Sequence, residues 1–243
     1  MYRFFISLFC VCFLSVCNQK QLQAKPKSRP GIQQQIPSNP PLLTLNKFKK
    51  LCSVDDIQVL DTRYCDDFLQ GFVPNSINIS FEGPFDHFLT QVFPTKDQKF
   101  LLITDSENNE AVIDHLIKLG YINIVGVLEG GIETWKSKEM VASLSTITAR
   151  EFNKKSVEGH IVDVRTEKEF KSGHIDNAMN IPLTDLVNFG SELRKDYEQL
   201  YIYCQSGYRS TIALSILSSK GFKNICNIQG GYKALKKEEK ENQ

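Results

Sequence analysis

The chain has little of what most function classes require. Its four histidines (His87, His115, His160 and His174) stand far apart, and its seven cysteines form no Cys-x-x-Cys pair and no His/Cys cluster at metal-ligand spacing. That argues against a zinc site. An excess of charge is missing too: 29 Lys plus Arg face 28 Asp plus Glu, a formal balance of +1. The chain therefore has no broad basic field for nucleic acid and no acidic tail for solvation. The uncharged run Phe4 to Asn18 has 15 residues, short of the ~20 that a membrane-spanning helix needs, which argues against such a helix in the mature protein. What is present suits a globular protein. Apolar residues make up 41% and charged residues 23% of 243, enough for a buried core and for two domains of ordinary size.

The N-terminus has its own composition. Residues 1–17 open with one basic residue, Arg3, and continue through Phe4, Phe5, Ile6, Leu8 and Phe9 to Val16 without a charge, which reads as an export signal. The stretch Leu14-Ser15-Val16-Cys17 resembles the lipobox of bacterial lipoproteins. That resemblance implies a lipid on Cys17 and a protein exported to the periplasm or cell envelope, anchored at the membrane through its N-terminus. Val16 is bulkier than the Gly, Ala or Ser usual before the cysteine, and cleavage after Ala24 is the alternative. Residues 18–41 turn to Gln, Lys, Ser and five prolines, the composition of an extended tether. Residues 238–243 read as a charged tail.

Self-similarity sets the organisation of the rest. Val59-Leu60-Asp61-Thr62-Arg63, Phe68, Gly71, Asn78 and Ile79 recur as Ile161-Val162-Asp163-Val164-Arg165, Phe170, Gly173, Asn180 and Ile181, at a constant offset of 102. Gly130-Gly131 recurs as Gly230-Gly231 at offset 100. The repeats run over 42–140 and 145–237, with 141–144 as connection. In the second, Thr148 caps a helix through Lys155, strands follow at His160–Val164 and Ala178–Ile181, and a helical stretch covers Leu183–Lys195. Leu200–Cys204 is an apolar strand, Arg209–Lys220 a helix with Ile212, Ile216 and Leu217 on one face and Gly221 at its left-handed end, and Lys223–Ile228 a last strand. Such alternation forces parallel pairing through crossover helices, hence an α/β fold with a helix-covered sheet in each repeat.

The chemistry concentrates where a strand meets a helix, at Cys204-Gln205-Ser206-Gly207-Tyr208-Arg209. The carboxyl end of a parallel strand opens a ligand crevice, and the following helix presents unpaired N–H groups and the positive end of its dipole. A cysteine there, with a guanidinium nearby, is favoured as thiolate. Gly207 lets the backbone curl around the sulfur, and Arg209 has the fork to hold an oxyanion. Asp163 and Arg165 read as loop support, since Asp61 and Arg63 persist in the other repeat. Cys226 reads as core of the last strand; Cys52 and Cys65 are either a disulfide or free.

These residues resemble the rhodanese family of sulfurtransferases, with its Cys-x-x-x-x-Arg loop between strand and helix. The likeness extends to Asp163-Val164-Arg165, Gly173-His174-Ile175, Ala178 to Pro182 and Gly230-Gly231-Tyr232. It implies two tandem rhodanese-like domains, each a parallel sheet flanked by helices, and transfer of a sulfane sulfur through a persulfide on Cys204, with loop residues Gln205 to Arg209 binding substrate. A thiosulfate-like donor and a cyanide or thiol acceptor are the implied partners, and no metal or organic cofactor is needed. The first repeat departs from the pattern: Cys204 and Arg209 correspond to Ile103 and Asn108, or one residue on to Thr104 and Asn109, and neither register supplies a thiol. That domain is expected to be catalytically silent. Two rival readings are a phosphatase or arsenate reductase, whose loop has one more residue between Cys and Arg, and a non-catalytic binding or redox-sensing module.

Overall fold

The computed structural model describes residues 39–154, 159–189 and 197–241. The export segment with Cys17, nearly all of the 18–41 tether, and the later half of the helix read over Leu183–Lys195 lie outside the described residues.

Short apolar runs rich in Ile, Val and Leu form buried parallel strands, and the stretches between them form helices. In the first repeat these are β1 (Leu42–Leu43), α1 (Leu45–Cys52), β2 (Ile57–Asp61), α2 (Cys65–Gln70), β3 (Ile77–Asn78), α3 (Phe85–Val92), β4 (Lys99–Ile103), α4 (Asn109–Lys118), β5 (Ile124–Leu128) and α5 (Gly131–Lys136). The second has β6 (Ser145–Thr148), α6 (Ala149–Lys154), β7 (His160–Asp163), α7 (Glu167–Lys171), β8 (Ala178–Asn180), α8 (Leu183–Phe189), β9 (Leu200–Tyr203), α9 (Tyr208–Ser219), β10 (Ile225–Gln229) and α10 (Gly231–Glu241). The sheets have the same order, β1-β5-β4-β2-β3 and β6-β10-β9-β7-β8, and every strand pair in them is parallel. β4 and β9 are the central strands, so the turn after each opens at the middle of a sheet.

The helix starts follow local chemistry. Thr148 Oγ1 accepts from the Glu151 N–H at 3.2 Å while the Glu151 carboxylate accepts from the Thr148 N–H at 3.0 Å, a capping box at α6; Thr166 and Glu169 form another at α7. Gly221 ends α9 at φ +89°. Residues 238–241 continue α10, with Lys237 near Glu241 across one turn, so this stretch is helix and not a separate tail. The connection is stitched to the first repeat: Phe72 and Ala142 exchange two backbone hydrogen bonds of 2.9 Å.

The two repeats share a core. One hydrophobic cluster runs from Leu60, Ile79, Phe88 and Leu102 of the first into Val162, Leu186, Ile202 and Leu214 of the second. Helix α9 lies inside it. Its single apolar face, as read from sequence, understates its burial: every residue from Ser210 to Leu217 is buried. The second side of α9 meets β3 of the first repeat, where Ser215 Oγ accepts from the Asn78 backbone N–H at 3.2 Å. The small side chain of Ser215 lets that contact close while its hydroxyl stays bonded, donating to Ile212 O at 2.8 Å.

Candidate active site

β9 delivers Cys204 to the centre of the second sheet and α9 begins four residues later. The Cys204 side chain is only 1% exposed. The backbone between them must turn sharply, and Gly207 does so at φ +122°, a conformation that L side chains rarely adopt. This directs the Gly207 N–H onto Cys204 Sγ at 3.2 Å. Ser210 Oγ lies 3.8 Å from the same sulfur, 2.9 Å from Gly207 O and 3.0 Å from Asn227 Oδ1. A buried serine and asparagine thus back the sulfur from the helix and last-strand side.

The other loop residues divide by direction. Gln205 and Ser206 are exposed at the mouth. Gln205 Oε1 accepts from Arg165 Nη1 at 3.4 Å, and its backbone carbonyl accepts from the Lys233 N–H at 3.1 Å. Tyr208 turns to the first repeat, its hydroxyl donating to Ser80 O at 2.6 Å. Arg209 spends both terminal amines on Glu169, Nη1 to Oε2 and Nη2 to Oε1, each at 2.7 Å. Hydrogen bonding from Arg209 pulls the Glu169 carboxyl down to about 2. The fork read from sequence as an oxyanion clamp is therefore engaged by a carboxylate, and the backbone donor on the sulfur is the Gly207 N–H.

Asp163 and Arg165 form a buried bidentate pair below the loop. Arg165 Nη2 donates to Asp163 Oδ2 at 2.7 Å and to Gly173 O at 2.7 Å, and Asn180 Nδ2 donates to the carbonyls of Asp163 and Arg165. The Arg165 guanidinium lies 4.0 Å over the Tyr232 ring. His174 stacks on Phe170 at 3.7 Å.

The strand pairing fixes the register of the corresponding loop in the first repeat. Asp163 pairs with Tyr203 and Asp61 with Ile103, so Cys204 corresponds to Thr104 and Arg209 to Asn109. In place of a thiol and a guanidinium, the Thr104 hydroxyl bonds to Asn109 Oδ1. Gly207 corresponds to Glu107, which lies in a 3-10 turn, Ser106–Asn108. None of Cys52, Cys65, Cys204 and Cys226 is in a disulfide. Burial pushes the Cys52 thiol up to about 11 and the Cys65 thiol up to about 12, so both stay protonated at neutral pH. Among the described residues no group of His, Cys, Asp and Glu could hold a metal ion, and no helix is long and apolar enough to cross a membrane.

Sequence reasoning missed Glu169, Ser210 and Asn227. Glu169 was within reach of it, because Thr166-x-x-Glu169 is a capping-box spacing. Asn227 carried no signal, since an Asn inside an apolar strand reads as any buried polar residue.

The rhodanese-like domain family matches residues 44–138 and 148–238. An uncharacterized protein of Bacillus subtilis, YqhL, is 39% identical over 90 residues, 37% of this chain and 71% of that protein. A sulfurtransferase of Allochromatium vinosum is 37% identical over 71 residues, 29% of this chain and 65% of that protein. Other curated relatives are matched over 52% to 64% of their length. The crystal structure of a rhodanese-related protein from Thermoplasma volcanium is 30% identical, with 39% of this chain and 92% of that one covered at a TM-score of 0.36. With both repeats matched and both sheets parallel and helix-flanked, the chain belongs to the rhodanese-like domain family, as two tandem domains.

Proposed function

We propose that the protein is a sulfurtransferase that carries sulfane sulfur as a persulfide on Cys204. The observation that supports this most is the Gly207 N–H held 3.2 Å from Cys204 Sγ at the end of the central strand. In the first half-reaction the Cys204 thiolate attacks the outer sulfur of a donor such as thiosulfate; the donor's S–S bond breaks and sulfite leaves with the electron pair. In the second, cyanide or a thiol attacks the outer sulfur of the persulfide, and Cys204 leaves as thiolate. Loop N–H groups stabilise the charge on sulfur in both steps. Four residues separate Cys204 from Arg209, one fewer than in the loop of phosphatases and arsenate reductases, which weighs against phosphate or arsenate chemistry. The test is thiocyanate formation from thiosulfate and cyanide by the full chain, with Cys204→Ser expected to lose more than ~10³-fold. Normal turnover by Cys204→Ser would refute the carrier.

From the Leu14-Ser15-Val16-Cys17 stretch we propose separately that the protein is exported and held at the cell envelope through a lipid on Cys17. Labelled palmitate should mark the wild type and not Cys17→Ala; a mature chain that starts at Lys25 and stays in the aqueous phase would refute the anchor.

A further inference from the structure

Tyr208 is the first residue of α9 and follows the residue whose N–H holds the sulfur, yet its side chain makes its contacts in the first repeat. Its hydroxyl donates to Ser80 O at 2.6 Å, and its ring lies 5.4 Å from that of Phe88. A Cβ built on Gly83, which sits at φ +143°, would stand 2.5 Å from Tyr208 Cε2. The glycine therefore serves both the turn and the close approach of the ring. Burial pushes the Tyr208 phenol above its ordinary value, which keeps it a hydrogen-bond donor. The socket is firm: Asn78, two residues before Ser80, donates Nδ2 to the carbonyls of Asp61 and Arg63.

The catalytic loop needs such an anchor. A Cβ at Gly207 would meet nothing within 4 Å, so no packing holds the loop side of that residue. Its carbonyl is tied forward into α9, accepting from the Thr211 N–H and Oγ1, each at 3.0 Å, and from Ser210 Oγ at 2.9 Å, so the loop follows the first turn of that helix. Gly207 is also the residue with the most backbone freedom to lose. The nearest firm packing in the chain direction of α9 is Tyr208.

We infer that Tyr208 is a positioning residue that ties the silent domain to the sulfur cradle, the Ser80–Gly83 socket of the first repeat fixing where the Gly207 N–H meets Cys204. The rate arm of this proposal rests on the sulfurtransferase reading. A donor displaced by a few tenths of an ångström loses stabilisation of charge developing on sulfur, which lowers kcat more than it changes KM. The same loosening uncovers a sulfur that is now 1% exposed, so alkylation by iodoacetamide speeds up while sulfur transfer slows.

The experiment compares the full chain with Tyr208→Phe, Tyr208→Ala, Gly83→Ala and the Gly83→Ala/Tyr208→Ala double variant. Peptide mass spectrometry follows iodoacetamide labelling, and kcat and KM are measured with thiosulfate. Tyr208→Phe, which loses one hydrogen bond, is expected to lower kcat by about two- to tenfold; Tyr208→Ala is expected to lower it by more than ~tenfold, with KM within about twofold. In both, Cys204 labelling should accelerate. Gly83→Ala should act alone, and its effect should shrink without vanishing once the Tyr208 ring is gone, because the clash with the ring is then relieved while the strain of a side chain at φ +143° stays. Unchanged kinetics and labelling in Tyr208→Ala, or additive effects in the double variant, would overturn the proposal. So would labelling of Cys226, on β10, alongside Cys204, which would make Tyr208 a residue of the global fold. If the wild type transfers no sulfur, the proposed function fails, and the labelling arm still judges the clamp by the same coupling.

Discussion

The two domains are alike wherever the sheet needs support and unlike wherever sulfur would be handled. Arg63 Nη2 donates to Asp61 Oδ2 at 2.6 Å and to Gly71 O at 3.0 Å; Arg165 repeats this with Asp163 and Gly173. Asn78 and Asn180 each donate to the same two carbonyls of their Asp-x-Arg strand end. A pair kept in a repeat whose loop has no thiol is maintained by folding: it satisfies buried carbonyls and closes the strand end. The loop above it is free to change. Where Gly207 takes positive φ and turns an N–H onto sulfur, the first domain places Glu107 in a 3-10 turn, and Thr104 closes on Asn109.

The largest losses are expected at the buried Asp–Arg pairs that both domains keep. Asp61→Asn and Asp163→Asn each leave a buried guanidinium without its counter-charge, which costs about 3–5 kcal/mol. The account expects similar losses in chemical denaturation for both. A loss confined to Asp163→Asn would mean that the second pair serves the loop and not the sheet.

A smaller effect is expected at Glu169, which only the second domain pairs with an arginine. Its partners are part-exposed, so solvent screening limits Glu169→Gln to about 1 kcal/mol. The sign with pH follows from the direction of the shift. The folded carboxyl lies at about 2, below its ordinary value of 4.5, so the pair's contribution is complete above pH ~4.5 and disappears as pH falls toward 2. Urea titrations of wild type and Glu169→Gln should therefore differ at pH 6 and converge by pH 2; a constant difference would remove the ion pair from the account.

The smallest effect is expected at the first-repeat loop. Asp105→Ala should change turnover by less than about twofold and stability by about 0.5 kcal/mol or less. A loss like that of Cys204→Ser would show that this loop shares the active site.

Much of this was legible in the residues. The 102-residue offset and the alternation of elements gave two helix-flanked parallel sheets, because period and turn chemistry are local. The place of Cys204 followed from strand, loop and helix in order. The register of the degenerate loop did not, since glycine landmarks allowed two alignments and only the pairing of Asp61 with Ile103 separates them. The direction of Arg209 was also hidden: a guanidinium reaches several partners, and Glu169 comes near only when α7 is packed beside the loop. Tyr208 read as a loop residue for substrate, while its side chain contacts lie 128 residues away in sequence, at Ser80. Long-range partners of that kind are set by the domain interface, which no local pattern encodes.

The central claim is that one shared scaffold carries sulfur chemistry in one loop alone. Its most direct test is peptide mass spectrometry of the full chain after exposure to thiosulfate. The account predicts one added sulfur on the peptide that contains Cys204, discharged by cyanide. Sulfur on the peptides of Cys52, Cys65 or Cys226, or on none, would contradict it.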